Sequence, residues 1–249
     1  MENSLLTTCT KTLLKHSTFN MEENNYIIIS LGGSLIVPQS VDTAFLKNFV
    51  SHITGAVSQG KHFAIVCGGG HIAREYRDAL TTLKQSPDDE LDWMGIYATR
   101  FNAELVRISF GGLAEPAIFL DPTTVKPSNS KPVLVGGGWR PGHSSDGAAV
   151  ALAKSLGAKT LVNLSNIDYV YTDDPRKNPD ATPIEKINWA DFRKLLPIGW
   201  NPGVNAPFDP IAAQMADSID LEVIVMNGKN LENLQNYLDG KEFIGTTIK

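Results

Sequence analysis

The chain is poor in cysteine. Cys9 and Cys67 are its only two, and they form no Cys-x-x-Cys pair. A disulfide framework and a zinc ribbon are thereby excluded, and five scattered histidines offer no metal-ligand spacing. No apolar run approaches the roughly 20 residues of a membrane-spanning helix. Positive charge is not in excess: 22 Lys and Arg stand against 27 Asp and Glu, a net charge of −5. This balance argues against a nucleic-acid-binding stripe but leaves room for a local basic pocket that takes a small anion. Two common nucleotide-binding signatures are missing as well. No Gly-x-x-x-x-Gly-Lys-Ser/Thr occurs, which excludes a Walker-type loop, and no Gly-x-Gly-x-x-Gly follows a strand, which argues against a dinucleotide fold. The expectation is a reduced, cytoplasmic protein with neither nucleic-acid nor membrane partner.

What is present is an ordinary globular mixture, 42% hydrophobic and 20% charged over 249 residues. A chain of that length buries roughly 70–75% of its unfolded surface, enough for a full core. Residues 1–25 are rich in Thr, Ser and Asn. Lys11, Lys15 and His16 suggest a transit peptide there, but Glu2, Glu22 and Glu23 argue against one, and Met21 lies just before the first strand signal. Residues 1–25 therefore read as a flexible N-terminal extension and residues 26–249 as a single domain.

From Tyr26 onward, strand and helix signals alternate. The run YIIISL at 26–31, residues 62–67, 117–120, 132–135, 159–164 and 222–226 read as strands. Residues 41–59, a stretch from about 72, 92–109, 146–156, 207–219 and 231–238 read as helices, and 172–185 as irregular. Such alternation predicts an α/β fold, a three-layer αβα sandwich around a mostly parallel sheet.

Three of these strands run straight into glycines: Gly32-Gly33-Ser34, Gly68-Gly69-Gly70 and Gly136-Gly137-Gly138. In an open α/β sheet ligands bind beyond the carboxyl ends of the strands. Glycine there lets backbone N–H groups approach an anion, and the next helix adds its positive N-terminal end. The pattern points to phosphate. Arg74, four residues after Gly70, can grip a phosphate in a fork or simply form a surface salt bridge. Trp139-Arg140-Pro141-Gly142-His143-Ser144-Ser145-Asp146 leads from a strand into a helix, and its hydroxyls and free N–H groups can cradle an anion. Helix capping by Ser145 or Asp146 explains only part of that string. Ser165-Asn166-Ile167-Asp168, Tyr171 and Asp173-Asp174-Pro175 suit a nucleoside, with Tyr171 as a stacking face, or form a polar loop around one buried tyrosine. Asp209 opens a helix, where a carboxylate suits the dipole and can also hold Mg²⁺.

Taken in order, these motifs resemble the amino-acid kinase superfamily. To them are added Ala73-Arg74, Gly95-Ile96-x-x-Thr99-Arg100-x-Asn102, Asp209-Pro210-x-Ala212-Ala213 and Gly245-Thr246-Thr247-Ile248. Within the superfamily the chain is most similar to the archaeal-type uridylate kinases, from about Tyr26 to the last residue. The resemblance implies transfer of the γ-phosphoryl group of ATP to UMP, with Mg²⁺ accompanying ATP, in a homohexamer. It implies that Gly33, Ser34, Gly70, Arg74, Ser165, Asn166, Tyr171 and Asp174 serve ATP. Gly69, Asp92, Trp139, Arg140, Pro141, Gly142, His143, Ser144 and Ser145 would hold UMP. Asp146 and Asp209, with Arg74, would organise the centre, and no dedicated protein metal site is expected. A kinase of the same fold acting on isopentenyl phosphate, acetylglutamate or carbamate is the alternative, as is a non-catalytic nucleotide or oxyanion binder.

The chain departs from the family pattern at three places. Ser30 stands where many members carry a phosphoryl-stabilising Lys, leaving Arg74, Arg140 and Arg176 as candidate substitutes. Asp168-Tyr169-Val170-Tyr171 replaces Asp-Gly-Val-Tyr, where Tyr in place of Gly could crowd the donor pocket or disallow a positive φ. Ser144-Ser145 replaces Thr-Thr and keeps both hydroxyls.

Overall fold

The apolar, β-branched run YIIISL forms β1 (Tyr26–Leu31), and its side chains are buried on both faces of a sheet. In this computed structural model, residues 26–128, 130–196 and 206–249 are described. The expectation for residues 1–25 lies outside them. After β1 come a one-turn helix α1 (Gly33–Ile36), α2 (Thr43–Ser58), β2 (His62–Cys67), α3 (Gly70–Leu83) and α4 (Asp88–Ser109). The middle of the chain adds β3 (Val133–Gly136), α5 (Ser145–Leu156), β4 (Thr160–Ser165), β5 (Val170–Tyr171), β6 (Pro183–Ile184) and β7 (Lys186–Ile187). The remainder is α6 (Trp189–Leu195), α7 (Pro210–Ser218), β8 (Glu222–Asn227), α8 (Leu231–Leu238) and β9 (Thr246–Ile248).

Seven strands make the main sheet in the order β3-β2-β1-β4-β8-β9-β7, and β5 and β6 form a separate antiparallel pair. Strands β3, β2, β1, β4 and β8 are mutually parallel. β9 runs antiparallel to β8, with β7 parallel to β9. Because side chains alternate along a strand, β1 feeds two cores. Tyr26 and Ile28 join Ala148, Leu152, Phe208 and Ala212 on the α5–α7 face. Ile29 and Leu31 join Phe49, Ile53, Val106 and Leu234 on the face covered by α2, α4 and α8. These are the three layers the alternation predicts.

The differences from expectation have local causes. Residues 117–120 are not a strand: of the segment, Phe119 alone bridges to β3, and Ala114 bridges to it upstream, because Pro116 between them has no N–H to donate and the chain bends there. Residues 172–185 are irregular except for β6, which pairs with β5. Short elements escape periodicity, and α1, β5, α6, β7 and β9 are of this kind. α4 begins at Asp88, four residues early, where Asp88, Asp89 and Glu90 suit the positive end of the helix.

Chain direction reverses at the middle of the sheet. From β1 the chain steps outward through β2 to β3, then returns to β4 and steps the other way to β8. The crevice beyond β1 and β4 is thus a topological switch point, the usual ligand position in such sheets. There the glycine turns after β1 and β2 touch backbone to backbone. A Cβ on Gly33 would lie 2.0 Å from the Gly70 nitrogen and 2.6 Å from the Gly68 carbonyl carbon. Gly70 itself has φ +64°. Gly33→Ala is expected to cost about 3 kcal/mol or more, because no flexible side chain can yield. Gly55→Ala, exposed in the last turn of α2 with nothing within 4 Å of the added methyl, is expected to stabilise by about 0.5–1 kcal/mol. Urea denaturation of the two variants checks this contrast.

Candidate active site

The carboxyl ends of β1, β2 and β3 deliver all three glycine turns to one rim. The β1 turn is stitched to its neighbours: Gly32 N–H donates to Leu164 O at 2.9 Å, and Gly68 N–H donates to Leu31 O at 2.9 Å. One helix, α4, holds the other two turns. The Asn102 amide donates to Gly68 O at 2.8 Å and to Gly69 O at 3.1 Å. Thr99 Oγ1 accepts the Gly138 N–H at 2.6 Å and donates to Ile96 O at 2.6 Å. Arg100 donates to Gly138 O at 3.2 Å and to Trp139 O at 2.8 Å. Carbonyls that would repel phosphate are thereby occupied by side-chain donors. Residues 99, 100 and 102 belong to the string that marked the resemblance, yet their clamp role carries no signal in one sequence.

The Trp139–Asp146 segment folds over this rim. Ser144, not Ser145 or Asp146, caps α5: its Oγ accepts the Gly147 N–H at 3.0 Å. Asp92, in α4, accepts the Gly142 N–H at 2.8 Å, and Gly142 has φ +77°. The Trp139 ring packs edge-on against His143 at 4.7 Å, with the Arg140 guanidinium 4.1 Å from its centre. Asp121 is held below the usual carboxylate range, chiefly by the Thr123 hydroxyl and amide, then by the Trp139 N–H and the Arg140 charge.

At the centre, α5 and α7 bring two carboxylates together. Asp146 Oδ1 accepts from the Ser30 hydroxyl at 3.0 Å, and its Oδ2 accepts the Asp209 N–H at 3.2 Å. Asp209 caps α7, taking the Ala212 N–H on Oδ1 at 2.7 Å. The plain capping reading of Asp209 is therefore true of one oxygen, and it stands one residue before the helix rather than inside it. Burial pushes the Asp146 carboxyl up to about 6; the Asp209 charge adds to the rise, and the Ser30 hydroxyl and Asp209 amide oppose it.

Beyond β4, Ser165 and Asn166 lie at the strand end, and Asp168 accepts from the Asn227 amide at 2.9 Å. Tyr171 is half-buried in β5, its ring 6.4 Å from that of Tyr169 and edge-on to it. Among the described non-glycine residues only Asp220 has a positive φ, so Tyr169 is free of the strain that the missing glycine suggested. Both oxygens of Asp174 are taken by Arg176, at 2.9 and 3.0 Å, which draws its carboxyl below the usual range. Thr246, fully buried in β9, ties this hairpin to the sheet: it accepts the Val170 N–H at 2.8 Å and donates to Ile184 O. Arg74 sits in the second turn of α3 rather than the first, is exposed, and forms no ion pair among the described residues. The salt-bridge alternative for it is not realised. Gly33, Ser34, Gly69 and Gly70 fall where their motifs place them, on the rim between β1 and β2.

The model of the amino acid kinase family matches residues 25–227. Uridylate kinase of Pyrococcus abyssi is 34% identical over 225 residues, which cover 90% of this chain and 99% of that protein. Uridylate kinase of Methanospirillum hungatei is 32% identical over 227 residues, 89% of this chain and 94% of its own. The crystal structure of uridylate kinase from Archaeoglobus fulgidus superposes with a TM-score of 0.76 at 28% identity, covering 90% of this chain and all of that one.

The raised Asp146 value has a stability consequence with a definite sign. A carboxyl that titrates higher in the folded than in the unfolded chain favours folding when protonated, and that contribution is lost as pH rises through about 6. Asp146→Asn, neutral at every pH, is therefore expected to be more stable than wild type at pH 7.5 by about 1–3 kcal/mol. The gain should shrink as pH falls from 7 to 5. Thermal melts of both proteins across that range check it, and equal melting temperatures at pH 7.5 would contradict the assignment.

Proposed function

The chain belongs to the amino acid kinase family, and from that premise we propose that it is a UMP kinase, transferring the γ-phosphoryl group of ATP to UMP. The observation that carries this reading is the convergence of three glycine turns at the switch point of the sheet, two of them held by one helix. Matches along nearly the whole length of uridylate kinases support UMP over isopentenyl phosphate, acetylglutamate or carbamate as acceptor.

Phosphoryl transfer asks a protein mainly to position and neutralise. The acceptor is already an anionic phosphate oxygen, so no general base is required. In this proposal the β1 and β2 turns, through Gly33, Ser34 and Gly70, take the donor phosphates together with Arg74. Ser165, Asn166 and Tyr171 take the adenosine. Asp174 acts indirectly there, by placing Arg176. Gly69, Asp92 and residues 139–145 take UMP, and the Asp92 carboxylate releases the Gly142 amide to reach the ribose. Asp146 and Asp209 stand between the two substrates.

Mg²⁺ accompanies ATP in this reading. Among the described residues no three His, Cys, Asp or Glu side chains converge on a metal site. Asp146 and Asp209 nevertheless offer hard oxygen donors beside the rim, which fits an ion held by one or two carboxylates plus substrate phosphates. When bound, it supplies neutralisation of phosphate charge.

Among the three arginine candidates, Arg176 is engaged by Asp174 and Arg140 lies against Trp139, which favours Arg74 as the cation that meets the transferred group. We take residues 26–249 as one kinase domain working in the cytoplasm. Among the described residues no helix is long and apolar enough to cross a membrane. A homohexamer is proposed too. It is supported by the outer face of α4, where Trp93, Tyr97, Phe101, Leu105 and Ile108 stand exposed at helical spacing, as a surface shared between copies would.

With Mg-ATP, the purified protein is expected to release ADP with UMP in preference to acetylglutamate, isopentenyl phosphate or carbamate. Turnover with another acceptor alone would leave the family and remove the substrate. Arg74→Ala is expected to lower kcat/KM by roughly 30–1000-fold, the ~2–4 kcal/mol of a charged phosphate contact. Light scattering should find about six copies. The double variant Tyr97→Glu and Phe101→Glu should give a smaller particle, because two charges per copy would have to be buried.

A further inference from the structure

One side chain at the centre is out of character with its surroundings. β1 is otherwise apolar, and a hydroxyl in such a strand is costly unless it finds a partner. Ser30 is 3% exposed, registered between Val66 on β2 and Asn163 on β4. It shares a face of the strand with Tyr26 and Ile28, the face that α5 covers, and its hydroxyl meets Asp146 across the α5 N-terminus at 3.0 Å. The other Asp146 oxygen is held by the Asp209 amide at 3.2 Å, and Asp209 is itself fixed as the α7 cap. A carboxylate with one donor on each oxygen has its plane set, not only its position.

We propose that Ser30 is a positioning residue: its hydroxyl, acting with the Asp209 amide, fixes the orientation of the Asp146 carboxylate in the phosphoryl-transfer site. The inference deepens the kinase reading and rests on it. A lysine at this place would bring a charge; the serine brings only a direction, so the cationic work falls to other residues.

The test uses Ser30→Ala, Ser30→Cys, Ser30→Thr and Ser30→Lys in the full chain, with kcat and both KM values measured by varying each substrate while the other is saturating. Loss of the hydroxyl in Ser30→Ala, or its replacement by a weak donor of similar size in Ser30→Cys, should lower kcat about ten-fold while each KM stays within about two-fold. Ser30→Thr, which keeps the donor and suits a strand, should recover kcat to within about three-fold of wild type. Ser30→Lys should give no gain. An unchanged kcat in the Ala and Cys variants overturns the proposal. So does a fall that Thr does not rescue, or a ten-fold gain with Lys. The ratios are read with whichever acceptor turns over, so a failure of UMP as substrate is seen in the wild type and is separate from a failure of Ser30. A crystal structure of the Ser30→Ala protein supplies a readout independent of turnover: the Asp146 carboxyl should rotate away, and a carboxyl left in its original orientation overturns the proposal.

Discussion

The contact on which the site depends is one between backbones. Gly33 packs directly against the Gly68–Gly70 turn, at distances no side chain permits. This brings the amides that follow β1 and β2 to a single rim, with the α3 N-terminus opening from it. The sheet supplies parallel strands ending at the same level, and the loops need only avoid crowding one another. The rest of the site is then a matter of securing what the glycines leave loose. α4 does this with Thr99, Arg100 and Asn102, each of which hydrogen-bonds main-chain atoms of the turns.

Charge is distributed with similar economy. Two carboxylates lie at the centre with no cation bonded to either among the described residues, and burial lifts Asp146 well above its ordinary value. Such an arrangement is unfavourable by itself and becomes favourable only when positive charge arrives. Stability is thus given up locally for a site suited to the ligand-bound state. The aromatic and arginine residues around Trp139 act differently: Trp139, His143 and Arg140 pack together at the mouth, tied to α4 through Arg100.

Much of the fold could be read from the amino acids because it rests on long periodic stretches. YIIISL, the α2 stripe and the alanine-rich α5 announce themselves, and the glycine triplets mark the strand ends. The pieces that stayed hidden are short or depend on a distant partner. β9 is a strand because β8 and β7 flank it, and three residues carry no period. The 117–120 run has strand composition, but Pro116 denies it a ladder. At the site, Gly33, Gly70 and the 139–145 segment were legible from composition and order. Asp92 came through resemblance, since nothing near it in sequence tells that it meets Gly142 fifty residues away. Ser30 was visible as a departure, and only its contact with Asp146 gives the departure a meaning. Thr246 was part of a recognised terminal string, yet its hold on the Tyr171 hairpin spans 76 residues and has no local signature.

The arrangement at the far edge of the sheet sets an order of events during synthesis. β7 touches the sheet through β9 alone, and β9 lies 59 residues further along the chain, from Ile187 to Thr246. At roughly 5–20 residues per second, a ribosome needs about 3–12 seconds to cover that distance. For that interval β1 to β4 can pair and bury their apolar faces, while residues 186–187 have no strand to join. The hairpin bearing Tyr171 waits for the same three residues, because its anchor, Thr246, lies among them. A nascent chain would therefore hold its glycine rim before it holds the aromatic wall beside it.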